Sequence, residues 1–528
     1  MRLSPQHHRY IYVATLCIVA AGLPFSHFLM SVGQLAMAAN WLWEGNLKTK
    51  LQRLADSKPL LILLSLFALH LLGLAWTSDF DYAFKDLRIK LPLLLLPLLI
   101  GTSRLLKERE FKTVIAVFIV AVTVASLLCM GVFLNLTDHV VESSRDISIF
   151  ISHIRFSLNI CLALFFLAYF IGQPSKNGMG RILEAAVFLW LLLFLFILGS
   201  LTGLVIFGVV VYLLLLKLST QAGSKVIRRT LMALLLLLVA VPTLLLSIEL
   251  YRFFDVTADD DNLIQHTPYG EKYTHNPDRK QLESGRFVYR YIAEEELKTA
   301  WEARSNKPIS GRDDQGQPLH TTLIRYMTSK GLKKDKDGMA QMEDSDIALV
   351  EDGVANVRFA TGNFISIRLY QIIWEVYHYQ LGNNPESTSV GQRFECWKTA
   401  FFIFKQNTVI GEDTGDLKEA YHNAYRDTET SLSKKFQLRA HNQFITMGVQ
   451  FGLLGALWFW AVLLVPIRIK DGLKDYFFQV FFIIAFFSMM NEDTLETQAG
   501  VTFFAFFYTL LLLARSNFPI YWPAKRER

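Results

Sequence analysis

The sequence predicts an all-α polytopic membrane protein with about 12 transmembrane helices and one large, mainly helical outer loop between spans 9 and 10. Three observations predict it. Of 528 residues, 52% are hydrophobic and 19% charged, with a mean hydropathy of +0.30, against roughly 45–50% and 25% in soluble domains. The apolar residues gather in long uncharged runs such as LMALLLLLVAVPTLLLSI at 231–248, the length a helix rising 1.5 Å per residue needs to cross a bilayer. Lys and Arg sit in short clusters between the runs, as topology signals do. These features exclude a soluble enzyme, a collagen-like fibre and a disulfide-stapled secreted domain. The net charge of +6 does not imply nucleic acid, because the basic residues are dispersed among the loops. Of four cysteines, Cys17, Cys129 and Cys161 lie in apolar runs, leaving Cys396 as the one in a polar region.

Apolar stretches near 10–27, 29–44, 59–76, 88–101, 112–134, 148–172, 182–199, 200–217, 229–250, 443–466, 474–490 and 497–515 qualify as spans or nearly so. The second is interrupted by Gly33 and Asn40, and the fourth is short unless Arg88 and Lys90 are included. The first, with its basic start, reads as an uncleaved helix because no convincing small-x-small cleavage site follows. Loops 45–58, 102–112, 217–229 and 467–474 and the tail KRER are basic and fall on one side when the spans alternate. The positive-inside bias makes that side, and both termini, cytoplasmic. Four regions follow: spans 1–9 in 1–250, an outer loop domain 251–442, spans 10–12 in 443–515, and a tail 516–528.

The outer segment is too long for a structureless connection. Its first part, 255–360, is a polar insert with helical patterns in IAEEELKTAWEAR and IRYMTSKGLKK. Its second part, 361–442, reads as helix 364–380, a polar break, helix 391–406, the loop NTVIGEDTGD, and helix 416–426 before span ten. Asp259 and Asp261 have an Asp-x-Asp spacing, but three Asp beside Asn read as a solvated linker, and no metal site is expected.

Ionisable groups at the membrane need a partner or a task. Arg88 and Lys90 open span four, His153 and Arg155 open span six, His70 lies inside span three, and Glu249 with Arg252 closes span nine. Lys90 and Arg252 could equally snorkel to headgroups, and His70 alone reads as a hydrogen-bonded core residue. Cations at the outer face without matching carboxylates imply an anionic ligand, and a lipid-linked phosphate or pyrophosphate suits them. Arg393 begins GQRFECWKTAFFIF, where a positively polarised helix N-terminus adds to its charge. His441, flanked by Arg439 and Asn442, stands at the mouth of span ten, and imidazole can accept a proton near neutral pH. Glu492, Asp493 and Glu496 sit in a short outer loop and read as solvated, with the lesser alternative that one of them orients His441 or an arginine.

RFECWKTAFFIFKQNTVIGEDTGD followed by RAHNQFITMGVQFGLLG resembles the outer loop of the O-antigen ligase and polymerase superfamily: an Arg-x-x-x-Trp helix, a Gly-containing turn, His-Asn-x-Phe and a Gly-x-x-Gly opening the next span. With the span count and loop position, the likeness covers essentially the whole chain. It implies an inverting, metal-independent glycosyltransferase of the bacterial inner membrane, without cofactor, acting at the periplasmic face. The donor it implies is an undecaprenyl-pyrophosphate-linked polysaccharide, and the acceptor lipid A-core, as in lipopolysaccharide biosynthesis. It gives His441 and Arg393 catalytic places and Arg155 a place at the donor phosphates, with Arg88, Lys90 and Arg439 beside it. His153, Asn442, Trp397, Gly411 and Gly415 would support the site. Thr408 departs from a usual Pro, and Asp413 from the second Gly of a Gly-x-Gly turn, which weakens the case for an amide cradle for phosphate at 411–415. A polymerase or a protein oligosaccharyltransferase shares this chemistry, and a lipid-linked glycan transporter is the alternative of a different class. Nothing in the sequence sets the oligomeric state.

Overall fold

The computed structural model describes residues 3–136, 146–173, 178–256 and 263–515. Asp259, Asp261 and the tail 516–528 therefore lie outside the described residues. The chain divides into two compact units, one of Met1–Gly223, Cys396–Thr430 and Gln437–Arg528, the other of Ser224–Glu395 and Ser431–Phe436.

Among the described residues, eight helices are long and apolar enough to cross a membrane: Pro5–Phe25, Lys58–Ala75, Glu108–Phe133, His153–Ile171, Gly178–Ile197, Leu201–Gln221, Lys225–Phe254 and Gln443–Lys470. Two shorter apolar helices, Tyr476–Asn491 and Gln498–Leu512, follow. The chain is thus a mostly helical, multi-pass membrane protein. The weak second stretch forms helix His27–Glu44, with Gln34 and Asn40 buried. The fourth stretch is not one helix. It is divided into Phe80–Lys90 and Pro92–Thr102, because Pro92 lacks the N–H that an interior position would need but is well suited to a helix's first turn.

The first unit is held by aromatic packing, which accounts for the phenylalanine richness. Phe166 meets Phe477 with ring centroids 4.4 Å apart, and Phe118 meets Phe507 edge-on at 4.9 Å. In a bilayer, where water does not drive helices together, such close contacts carry the association.

The second unit opens with helix Lys225–Phe254. The polar insert then forms a hairpin, Leu282–Glu283 against Arg286–Phe287, turned by Ser284 and Gly285 at φ +50° and +76°, the left-handed pair a tight hairpin requires. Both anticipated insert helices are present, as Glu294–Glu302 and Leu319–Lys330. They bury Trp301, Leu323, Tyr326 and Met327 against Met339 and Val350. Fully buried Glu283 receives four donors: Arg325 Nε at 2.7 Å, Asn356 Nδ2 at 2.8 Å, Tyr370 Oη at 2.6 Å and Trp374 Nε1 at 2.9 Å. Tyr370 and Trp374 belong to helix Phe364–Gln380, so the insert is fastened to the next helix through one carboxylate.

Candidate active site

The acidic turn NEDTLE joins helix Tyr476–Asn491 to helix Gln498–Leu512. It is not a solvated loop. Glu496 is 7% exposed, and it accepts Lys90 Nζ at 2.9 Å and an Arg439 guanidinium nitrogen on one oxygen, with Gln443 Nε2 on the other at 3.2 Å. Lys90 is wholly buried and also reaches both carboxylate oxygens of Asp86, one turn back on its own helix, at 2.7 and 2.6 Å. Arg439 bonds Tyr82 as well. Burial opposes ionisation of Glu496, but Lys90 and Arg439 hold its carboxyl far below the usual range. The same carboxylate raises Arg439 above its ordinary value, against its own burial.

The expectation of cations without matching carboxylates therefore fails for Lys90 and Arg439. The Asp86–Lys90 pair was legible as an i,i+4 spacing; Glu496, distant in sequence, carried no local signal. Arg155 differs. Its nitrogens bond Thr494 Oγ1 at 3.2 Å and the Asp493 carbonyl at 3.1 Å, both uncharged oxygens, so among the described residues its charge is not spent on a direct ion pair.

Asp493 fixes the approach to helix Gln443–Lys470. Its carboxylate accepts His441 N at 3.1 Å, Asn442 N at 3.0 Å and Thr446 Oγ1 at 2.7 Å. Burial pushes its carboxyl above the ordinary range, although the Thr446 bond acts the other way. Asn442 caps the helix by accepting Phe444 N and Ile445 N, and donates to the Met490 carbonyl. Trp397 Nε1 donates to the Ala440 carbonyl at 2.7 Å, and Tyr425 Oη to that of Leu438 at 2.6 Å. Residues 438–442 are thus held one after another. Among them His441 has φ +49°, an unfavourable left-handed backbone that persists only where surroundings impose it. Its ring is 31% exposed, and Nδ1 stands 3.8 Å from a Glu492 carboxylate oxygen. That is beyond hydrogen-bond reach.

Gly411 and Gly415 are explained by packing. The N–H groups of Gly411, Glu412 and Asp413 bond the Asn407, Val449 and Gln450 carbonyls, and those of Gly415 and Asp416 bond the Asp413 carboxylate. These amides are occupied and offer no phosphate cradle. The turn lies against a break in helix Gln443–Lys470 at Phe451 and Gly452, where Gly452 has φ +62° and ψ −164°. A Cβ on Gly452 would stand 2.3 Å from the Val409 carbonyl carbon.

Arg393 is half-buried on helix Ser389–Gln406 in the second unit, one turn before Trp397. The helix starts four residues before Arg393, beyond the reach of its terminal dipole. Its opening amide, Val390 N, bonds Glu375 at 2.7 Å, so the helix-terminus argument for an anion at Arg393 does not hold. Exposed Arg88 points away from Lys90, into a groove of about 320 Å³ lined by Ser31, Gln34, Pro92, Leu95 and Gln498. His153 is the first residue of helix His153–Ile171 and half-buried. His70 is a core residue, its Nδ1 2.8 Å from the Leu66 carbonyl and its ring edge-on to Phe451. Cys396 is 1% exposed beneath Tyr425.

No curated protein matches the chain. Residues 354–460 match the family model described as O-Antigen ligase, and that segment includes Arg393, Trp397, the glycine turn, His441 and the broken helix. Over that segment the chain is similar to the O-antigen ligase family.

Proposed function

We propose that the protein transfers a polysaccharide from undecaprenyl pyrophosphate to a sugar hydroxyl of lipid A-core, at the periplasmic face of the bacterial inner membrane. In this reading the chain crosses the membrane twelve times, both termini are cytoplasmic, and 251–442 is the periplasmic domain. The observation that carries the proposal is His441: a half-exposed imidazole beside the Glu492 carboxylate, on a backbone fixed by Asp493, within the family-matched segment.

The acceptor hydroxyl oxygen attacks the anomeric carbon as the bond to the pyrophosphate oxygen breaks, with inversion. His441 takes the hydroxyl proton, and Glu492 stabilises the imidazolium that forms. Charge develops on the departing diphosphate, and Arg155, whose bonds go to neutral oxygens, is suited to receive it. Arg393 enters the proposal through the family likeness alone. Lys90 and Arg439 act through Glu496, holding the turn on which Glu492 and Asp493 stand. The leaving group is already activated, so the scheme needs neither nucleotide nor metal.

The test is the lipopolysaccharide ladder of a deletion strain complemented with His441→Ala or Arg393→Ala protein shown to be folded and inserted. Bare core with polymer retained on its lipid carrier is the expected result. Attachment at the wild-type level by both variants ends the proposal, and core bearing one repeat would assign the chain to polymerisation instead.

A further inference from the structure

The groove that receives Arg88 is unused by the proposed chemistry, and its lining shares no residue with the Glu496 cluster, Arg155 or His441. Helices His27–Glu44, Phe80–Lys90, Pro92–Thr102 and Gln498–Leu512, all in the first unit, contribute its walls. Helix Phe80–Lys90 builds it by facing two ways. Lys90 turns inward to Asp86 and Glu496, while Arg88, two residues earlier, is exposed on another side of the helix. Among the described residues the Arg88 side chain makes no hydrogen bond or ion pair, and no acid lines the groove. The acids nearest in sequence to Arg88 and Gln498, which are Asp86 and Glu496, are engaged by Lys90 and Arg439.

Neutral polar groups stand around that charge. Gln34 lines the groove and is 4% exposed, yet among the described residues its side-chain amide has no hydrogen-bond partner. A buried amide without a partner is unfavourable unless a group entering beside it completes its bonds. Gln498 Nε2 donates to Ser31 Oγ at 2.7 Å and to the His27 carbonyl at 3.3 Å, leaving Oε1 as an acceptor. Gln498 is also the first residue of helix Gln498–Leu512, so the positive pole of that helix lies at the groove wall. Leu35, Ile89, Leu91 and Leu95 make the rest of the wall apolar. A lone guanidinium beside neutral donors and acceptors matches a singly charged phosphodiester bearing hydroxyls, and the apolar wall matches acyl chains. A diphosphate, with its greater charge, would call for more than the one cation that lines this groove.

We propose that this groove holds an anionic glycerophospholipid of the phosphatidylglycerol type, with its phosphate on Arg88 and its glycerol hydroxyls on Gln34 and Gln498. The proposal rests on the multi-pass membrane fold and is independent of the transfer reading. An arginine without a partner is unfavourable in a bilayer, and a lipid phosphate supplies its counter-charge. Arg88 and Gln498 each stand two residues from the Lys90–Glu496 ion pair. A headgroup bridging them reinforces, from the lipid side, the same contact that the pair makes inside the protein.

The experiment titrates the full-length chain, in maltoside micelles, with dioleoyl phosphatidylglycerol, dioleoyl phosphatidylcholine, undecaprenyl phosphate or glycerol 3-phosphate, read by native mass spectrometry and thermal unfolding. The expected result is a phosphatidylglycerol retained at least about fivefold more tightly than phosphatidylcholine, the effect of one cation facing an anionic lipid. Binding should also raise the melting point by several degrees. Arg88→Gln should lose both the preference and the rise, and Arg88→Lys should keep most of each. Gln34→Leu leaves every charge in place and removes the unpartnered amide, so it should fold at least as well as wild type yet bind phosphatidylglycerol several-fold more weakly. Equal retention of phosphatidylcholine, or unchanged retention by Arg88→Gln, overturns the proposal. Unchanged binding by Gln34→Leu also overturns it, since Arg88 would then be a surface charge attracting any anionic lipid. Preferential retention of undecaprenyl phosphate would assign the groove to the polyprenyl carrier, and equal binding of glycerol 3-phosphate to a soluble phosphate; either outcome rejects a phospholipid site.

Discussion

Glu496→Gln removes one negative charge from between two buried cations and changes almost nothing in shape. Lys90 has no exposed surface and keeps only Asp86; Arg439, about one-fifth exposed, keeps only the Tyr82 hydroxyl. Breaking a buried pair by neutralising one partner costs about 3–5 kcal/mol, and the retained Asp86 bond puts this case near the lower end, at about 3 kcal/mol. The assay is denaturant unfolding in detergent micelles, with Lys90→Met and the double variant completing a cycle. The double variant should be less destabilised than the sum of the singles by at least about 1 kcal/mol. The pH dependence has a definite sign. Glu496 is held below its unfolded value, so its contribution is complete above about pH 4.3 and declines only as pH falls further, toward its folded value. Wild type and Glu496→Gln should therefore differ equally at pH 7 and pH 6 and converge only in acid. A variant within about 0.5 kcal/mol of wild type at pH 7, where surface changes usually fall, would refute the account of the turn as an ion-paired anchor.

Asp493→Asn leaves one of the His441, Asn442 and Thr446 donors facing an amide, and should cost about 1–3 kcal/mol and lower turnover more than acceptor affinity, measured by in vitro transfer kinetics. Gly452→Ala places a side chain in a backbone region reserved for glycine and against the Val409 carbonyl; a loss of at least about 2 kcal/mol is expected, seen as a lower melting point in detergent. Lys334→Met should gain most over wild type at pH 7 and below, and the gain should shrink toward pH 10. The unfolded lysine binds more protons than the folded one between about 7 and 10.4, so wild-type stability alone rises across that window; amide exchange of helix Leu319–Lys330 reads this. For topology, Ser345→Cys, exposed on the insert, should react with an impermeant maleimide in intact cells whose outer membrane has been made permeable, while buried Cys396 leaves the wild type unlabelled. Protection of Ser345→Cys until the inner membrane is opened would reverse the assigned orientation.

The apolar runs and helix patterns were legible because they depend on neighbours three or four residues apart. The helices of the insert, Phe364–Gln380 and Leu417–Asp427 all lie close to where periodicity places them. The break within the fourth stretch was harder to see, because Pro92 stands among apolar residues although its missing donor makes it a starting residue. The electrostatics of the candidate site were less legible. Asp86 was available one turn from Lys90, but Glu496 and Asp493 gain their roles only when helices far apart in the chain meet. A run such as NEDTLE looks solvated until the cations that bury it are in place. His441 stood out through its motif, whereas its left-handed backbone depends on Asp493 and could not be read from adjacent residues.

The four donors converging on Glu283 decide where this protein can be cut and rejoined. They come from residues 325, 356, 370 and 374, on both sides of the boundary near 360 that composition suggests. A chimera joined there would keep Arg325 and Asn356 on Glu283 but leave the buried carboxylate without the Tyr370 and Trp374 donors, at about 1–3 kcal/mol for each bond left unmade. Exchanging acceptor preference between relatives would need the hairpin and the helix through Trp374 to travel as one cassette.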